Sequence, residues 1–140
     1  MPVLVSVDPQ RRLILVRGQG IVTDDDLLGF VREYLHDRDL NQYDELFDLS
    51  HADLFDLTYA GLASVADAAA ASDERNPLTR IAILISEAQG AGLSRMYQTL
   101  REERGGHRET RVFWSRKECL DWLDLDPESG EDLMPNDNES

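Results

Sequence analysis

The chain has 140 residues, 41% hydrophobic and 30% charged, which is enough for one globular domain with a core of its own. Twenty-eight acidic residues against fourteen basic ones leave a formal charge of −14, a balance that opposes binding to duplex nucleic acid or to anionic lipid by general electrostatics. One cysteine, Cys119, excludes an internal disulfide and any multi-cysteine zinc site.

Val3, Val5 and Val7 alternate with Leu4 and Ser6, the period of a strand. A polar turn from Asp8 to Arg12 separates them from a second strand, Leu13 to Val22, so the two are expected to pair as an antiparallel hairpin. Thr23-Asp24-Asp25-Asp26 reads as a helix start, with a capping hydroxyl and three carboxylates at the positive end of the dipole. Leu27, Phe30, Val31, Tyr34 and Leu35 supply its apolar face, and the helix should fade between Asp37 and Asn41. Asp44 to Ser50 reads as a strand and His51 to Asp56 as an acidic loop. Thr58 to Ala71 is an Ala-rich helix broken by Asp73 to Pro77.

Ile81 to Ile85 is an unbroken apolar run, as in a strand covered on both faces. A turn from Glu87 to Gly92 should lead into a helix bearing Leu93, Met96, Tyr97 and Leu100, ended by Gly105-Gly106. Arg111 to Trp114 is a last strand. Ser115 caps a short helix with Cys119, Leu120, Trp122 and Leu123 as its apolar residues. Residues 126–140 hold six acids and no base, and read as a disordered acidic tail beyond a domain of residues 1–125. Alternating strands and helices require crossovers. The expected fold is therefore α/β, a five-stranded mostly parallel sheet with an antiparallel first strand, in the order ββαβαβαβα.

Three stretches carry a family resemblance: Gly20-Ile21-Val22-Thr23-Asp24-Asp25-Asp26-Leu27, Gly92-Leu93-Ser94-Arg95-Met96-Tyr97, and Val112-Phe113-Trp114 followed by Cys119-Leu120-Asp121-Trp122-Leu123. In order and spacing they resemble the STAS fold of sulfate transporters and anti-sigma-factor antagonists, and more closely the bacterial SpoIIAA-like, or STAS/SEC14-like, proteins. The resemblance spans roughly residues 3–124. It implies a non-catalytic module that binds a protein or a ligand; some relatives of this architecture carry apolar ligands. In the antagonists a Ser or Thr within an Asp-Ser/Thr-Ser-Gly motif is phosphorylated. The matching stretch here is Asp56-Leu57-Thr58-Tyr59-Ala60-Gly61, which keeps Asp56 and a nearby hydroxyl but lacks the second Ser and the adjacent Gly.

Each candidate site has a plainer structural alternative. Thr58 is the phosphorylation candidate, and equally an N-cap hydroxyl. Asp48, His51, Asp53 and Asp56 are dense in oxygen ligands but match no calcium loop, so no metal site is assigned. Gly90, Gly92 and Arg95 form an anion- or ligand-binding candidate, with amides at a helix start beside a guanidinium; glycines there also simply make a turn. Arg101, Arg104, Arg108 and Arg111 belong to a basic run and are the partner-docking candidate, facing an acidic protein partner or the acidic middle of a second copy in a homodimer; the alternative is a solvated helix. Met96, Tyr97, Trp114 and Trp122 line a pocket or fill a core. Cys119 packs. No nucleophile, base or cofactor motif emerges, so no enzyme and no cofactor are expected.

The function read from the sequence is a cytoplasmic, non-catalytic regulatory or protein-interaction module without stable membrane anchoring. The alternative is a carrier or sensor of a small apolar or anionic ligand. An apolar cavity large enough for a lipid chain favours carriage; a filled core favours the protein-binding module.

Overall fold

The computed structural model describes residues 3–34, 42–73, 79–104 and 109–126. The expected element order holds. β1 (Val3–Asp8) and β2 (Leu13–Thr23) form the antiparallel hairpin, followed by α1 (Asp24–Tyr34), β3 (Asp44–Asp56), α2 (Tyr59–Asp73), β4 (Arg80–Leu84), α3 (Glu87–Glu103), β5 (Glu109–Phe113) and α4 (Arg116–Trp122). The sheet runs β1-β2-β3-β4-β5, in chain order, with every pair after the hairpin parallel.

That order decides the layers. Three right-handed crossovers that all step in one direction lay their helices on one face, so α1, α2 and α3 share a side. Ile14 and Val16 of β2 point to that side and pack with Phe30 and Val31 of α1 and Val65 of α2. Leu13 and Leu15, one residue out of phase, point the other way and pack with Leu46, Ala82, Leu84, Cys119 and Leu120 of α4 and its C-cap Leu123. The two-residue period of β2 thus feeds two cores. β4, four of its five residues buried, fits a strand covered on both faces.

α1 is closed by a reciprocal cap. The Asp26 amide donates to Thr23 Oγ1 at 3.3 Å, while the Thr23 amide and hydroxyl donate to Asp26 Oδ2 at 2.9 and 3.0 Å.

Two expectations need correction. His51 to Asp56 is not a loop; β3 continues through it, paired with β2 as far as Thr23↔Asp56. Register shifts between Arg17 and Gln19 and between Gly20 and Ile21 absorb two extra β3 residues, and such bulges hide a strand's period from a sequence reading. Nor do Gly90 and Gly92 precede a helix: α3 starts at Glu87 behind Ser86, and both glycines lie within it. At Gly90 the reason is packing, since a Cβ there would overlap the Ile85 side chain. Leu35, residues 37–41 and 74–77, the Gly105-Gly106 stop and the tail after Asp126 lie outside the described residues.

Candidate binding site

Between the sheet and α1–α3 the side chains leave a gap. It is a partly open cavity of about 80 Å³, walled by Phe47 and Leu49 of β3, Ile81 and Ile83 of β4, Leu27 and Phe30 of α1, Leu62, Val65 and Ala69 of α2, and Leu93 and Tyr97 of α3. The walls are apolar almost throughout. Glu45, 1% exposed, and the buried Ser94 are the polar residues among them besides Tyr97. An engineered apolar cavity of about 150 Å³ accommodates benzene, so this one takes a short aliphatic group and not a whole lipid chain.

The opposite face carries a polar cluster. Asp48 is 1% exposed and points toward α4. Its Oδ1 accepts from the Ser50 amide at 3.0 Å and the Ser50 hydroxyl at 2.5 Å, and its Oδ2 accepts from Arg116 Nη2 at 3.0 Å. His51 Nε2 stands 3.8 Å from the same oxygen. Arg116 is the first residue of α4, so this contact fixes the helix to the sheet. Beside it, burial and the Asp48 charge push the Cys119 thiol up to about 12, against the lowering effect of Arg116. A thiol so held is a packing group.

Thr58 caps α2. Its hydroxyl accepts from the Gly61 amide at 2.9 Å and donates to Asp24 Oδ2 at 2.7 Å, while its own amide donates to both Asp24 oxygens at 3.1 and 3.2 Å. The Asp24 carboxylate therefore rests on the first turn of α2, where a phosphate on Thr58 would have to sit. A Cβ at Gly61 would overlap that carboxylate.

No family model matches the chain, and no curated protein matches it. Among solved structures it is similar to an uncharacterised DUF3478-family protein with a SpoIIAA-like fold from Shewanella loihica PV-4. The likeness covers 86% of this chain and 93% of that one, at 14% identity and a TM-score of 0.53. The fold is SpoIIAA-like.

Within this SpoIIAA-like frame the sequence candidates separate. Arg95 is exposed on α3 with Gly92, but Gly90 is buried in the helix, so no open turn of amides stands beside the guanidinium. Arg101 is only 4% exposed, where a docking guanidinium has to be open. Arg104 turns to α2, donating to Asp67 Oδ1 at 2.5 Å and to the Leu100 carbonyl at 3.3 Å. Arg111 is exposed on β5 but faces the α4 side, 5.3 Å above the Trp122 ring. The sheet lies between it and α3. Nearness in the chain placed these arginines together, and tertiary structure divides them. Arg108, His36 and His107 lie outside the described residues.

The acids of β3 do not assemble either: among the described residues no three His, Cys, Asp or Glu side chains are placed to hold a metal. Tyr97 lines the cavity and Met96 packs nearby, whereas Trp122 packs on Phe113 across the sheet and Trp114 is exposed. No described helix is long and apolar enough to cross a membrane.

Sequence reading missed Arg80. It donates to the Trp122 carbonyl at 2.5 Å and to Asp44 Oδ2 and Asp124 Oδ2 at 3.2 Å each, tying the end of α4 to β3 and β4. Its signal was a lone arginine opening an apolar strand.

Proposed function

We propose that this chain is a non-catalytic regulatory module that works by binding a small uncharged apolar ligand between its sheet and α1–α3. The cavity is the observation that carries the reading. Its walls come from five elements, so a ligand inside touches three helices and the sheet together and sets how they pack. An apolar interior selects against charge, because a buried ion without a partner costs several kcal/mol.

Size sets the affinity. By the benzene scale the cavity of about 80 Å³ holds about three heavy atoms, and at most about 1.5 kcal/mol per atom limits such a ligand to hundreds of micromolar. A ligand kept through purification has to be longer and to spread the helices.

Two measurements test this. Native mass spectrometry of freshly purified protein should show a co-purified mass that is absent from Ala69→Leu, in which the enlarged side chain fills the gap. Titration with 1-propanol should shift the NMR methyl signals of Leu27, Val65 and Ile83. Shifts confined to other residues, with no adduct in either protein, refute the reading.

A further inference from the structure

Among the described residues, the sheet loses its outer strands past Gly18 and Asp48. β1 pairs with β2 only from Leu13 to Gly18, and β4 pairs with β3 only from Glu45 to Asp48. Gln19 to Thr23 and His51 to Asp56 continue as a two-stranded parallel ribbon that neither β1 nor β4 flanks. Unflanked strands offer backbone donors and acceptors to an incoming segment.

The ribbon has an apolar face. Ile21 and Leu54 are register partners, so their side chains lie side by side, and they are 54% and 56% exposed. Their neighbours Val22 and Phe55, also partners, turn to the opposite side, where Val22 is buried and Phe55 lines the cavity. Ile21 and Leu54 thus occupy the α4 side of the sheet, but α4 lies chiefly over β4 and β5, reaches β3 at Asp48, and leaves them open.

Charge decides what covers them. Residues 19–26 and 51–58 contain Asp24, Asp25, Asp26, Asp53 and Asp56, with no lysine or arginine. A second copy would bring the same five aspartates face to face. Residues 126–140 bring six acids and no base. An anionic bilayer is repelled for the same reason. A basic segment is the complementary occupant.

We propose that the β2–β3 ribbon, centred on Ile21 and Leu54, is the docking surface for a protein partner that presents an extended segment in which arginine or lysine flanks apolar side chains. Its apolar groups meet Ile21 and Leu54, and its cations meet Asp53 and Asp56. This surface is separate from the cavity and stands or falls without it.

The test uses the full chain and a fluorescein-labelled octapeptide of alternating lysine and valine, read by anisotropy and by amide shift mapping. Binding should weaken at least tenfold in Ile21→Ser/Leu54→Ser and in Asp53→Asn/Asp56→Asn, and less than twofold in Glu102→Gln/Glu118→Gln, which removes equal charge elsewhere. Circular dichroism confirms that each variant folds. The shifts should fall on Gln19–Thr23 and His51–Asp56. Equal loss in all three variants, or shifts elsewhere, overturns the proposal as general charge attraction. So does equal binding of a glutamate–valine octapeptide or of phosphatidylglycerol vesicles. A dimer in sedimentation equilibrium that Ile21→Ser/Leu54→Ser dissolves overturns it in favour of self-association.

Discussion

Replacing Arg116 with methionine tests whether α4 is held by charge or by its apolar face. The substitution keeps the stem of the side chain and removes the guanidinium, leaving the Asp48 carboxylate with Ser50 and the more distant His51. Breaking a buried ion pair by removing one partner costs about 3–5 kcal/mol. The Arg116 side chain is 33% exposed, so water screens part of the pair and the expected loss falls to about 2 kcal/mol. For a chain of this size that lowers the melting temperature by roughly 6 °C. Urea unfolding followed by tryptophan fluorescence measures it, with Trp122 on α4 as a local reporter. Asp48→Asn in the Arg116→Met background should recover most of the loss, because the orphaned charge is gone. An Arg116→Met protein within about 0.5 kcal/mol of wild type refutes the reasoning and assigns the hold on α4 to Cys119, Leu120 and Leu123.

Gly61→Ala should destabilise the protein by about 1 kcal/mol despite better helix propensity, since its methyl meets Asp24; in an Asp24→Ala background it should stabilise by a similar amount. Asp24→Ala alone should cost about 1–2 kcal/mol in urea unfolding through loss of the interactions at Thr58. The raised Cys119 thiol makes the unfolded chain release its proton first, so this contribution is intact below about pH 9 and is lost as pH climbs toward about 12. Unfolding at pH 10 should therefore show about 1.4 kcal/mol less stability than at pH 8, and Cys119→Ala should remove that part of the pH dependence. Ala69→Leu should raise the urea midpoint by filling the cavity, and a lowered midpoint would mean that the space is already closed to three more carbons.

The apolar runs of Leu13 to Val16 and of Ile81 to Leu84 were enough to establish strands, because in a strand covered on both faces successive side chains go to opposite cores. The hairpin and the crossovers followed from linker length. What escaped was anything set by a bulge or a distant partner. Two extra residues in β3 scramble its period, so His51–Asp56 looks like a loop. Gly90 looks like a turn because its close neighbour, the Ile85 side chain, is invisible in a helix propensity. Asp24 and Thr58 lie 34 residues apart, and only the packing of α1 beside α2 brings the carboxylate onto the cap. The arginines of α3 and β5 follow one another in the chain, yet a sheet separates them. The exposure of Ile21 and Leu54 depends on where β1 and β4 end, which no local pattern carries.

A sheet whose spatial order equals its chain order has a consequence for synthesis. Each strand from β2 onward emerges next to a neighbour that has already left the ribosome, so the sheet can grow from its first hairpin outward without waiting for a later strand to slip between two earlier ones. The covering of its two faces is less even. α1, α2 and α3 arrive between strands and shield their side as it forms, whereas Leu13, Leu15, Leu46, Ala82 and Leu84 wait for residues 116–123. Until those last turns appear, the nascent protein is finished on one side and sticky on the other.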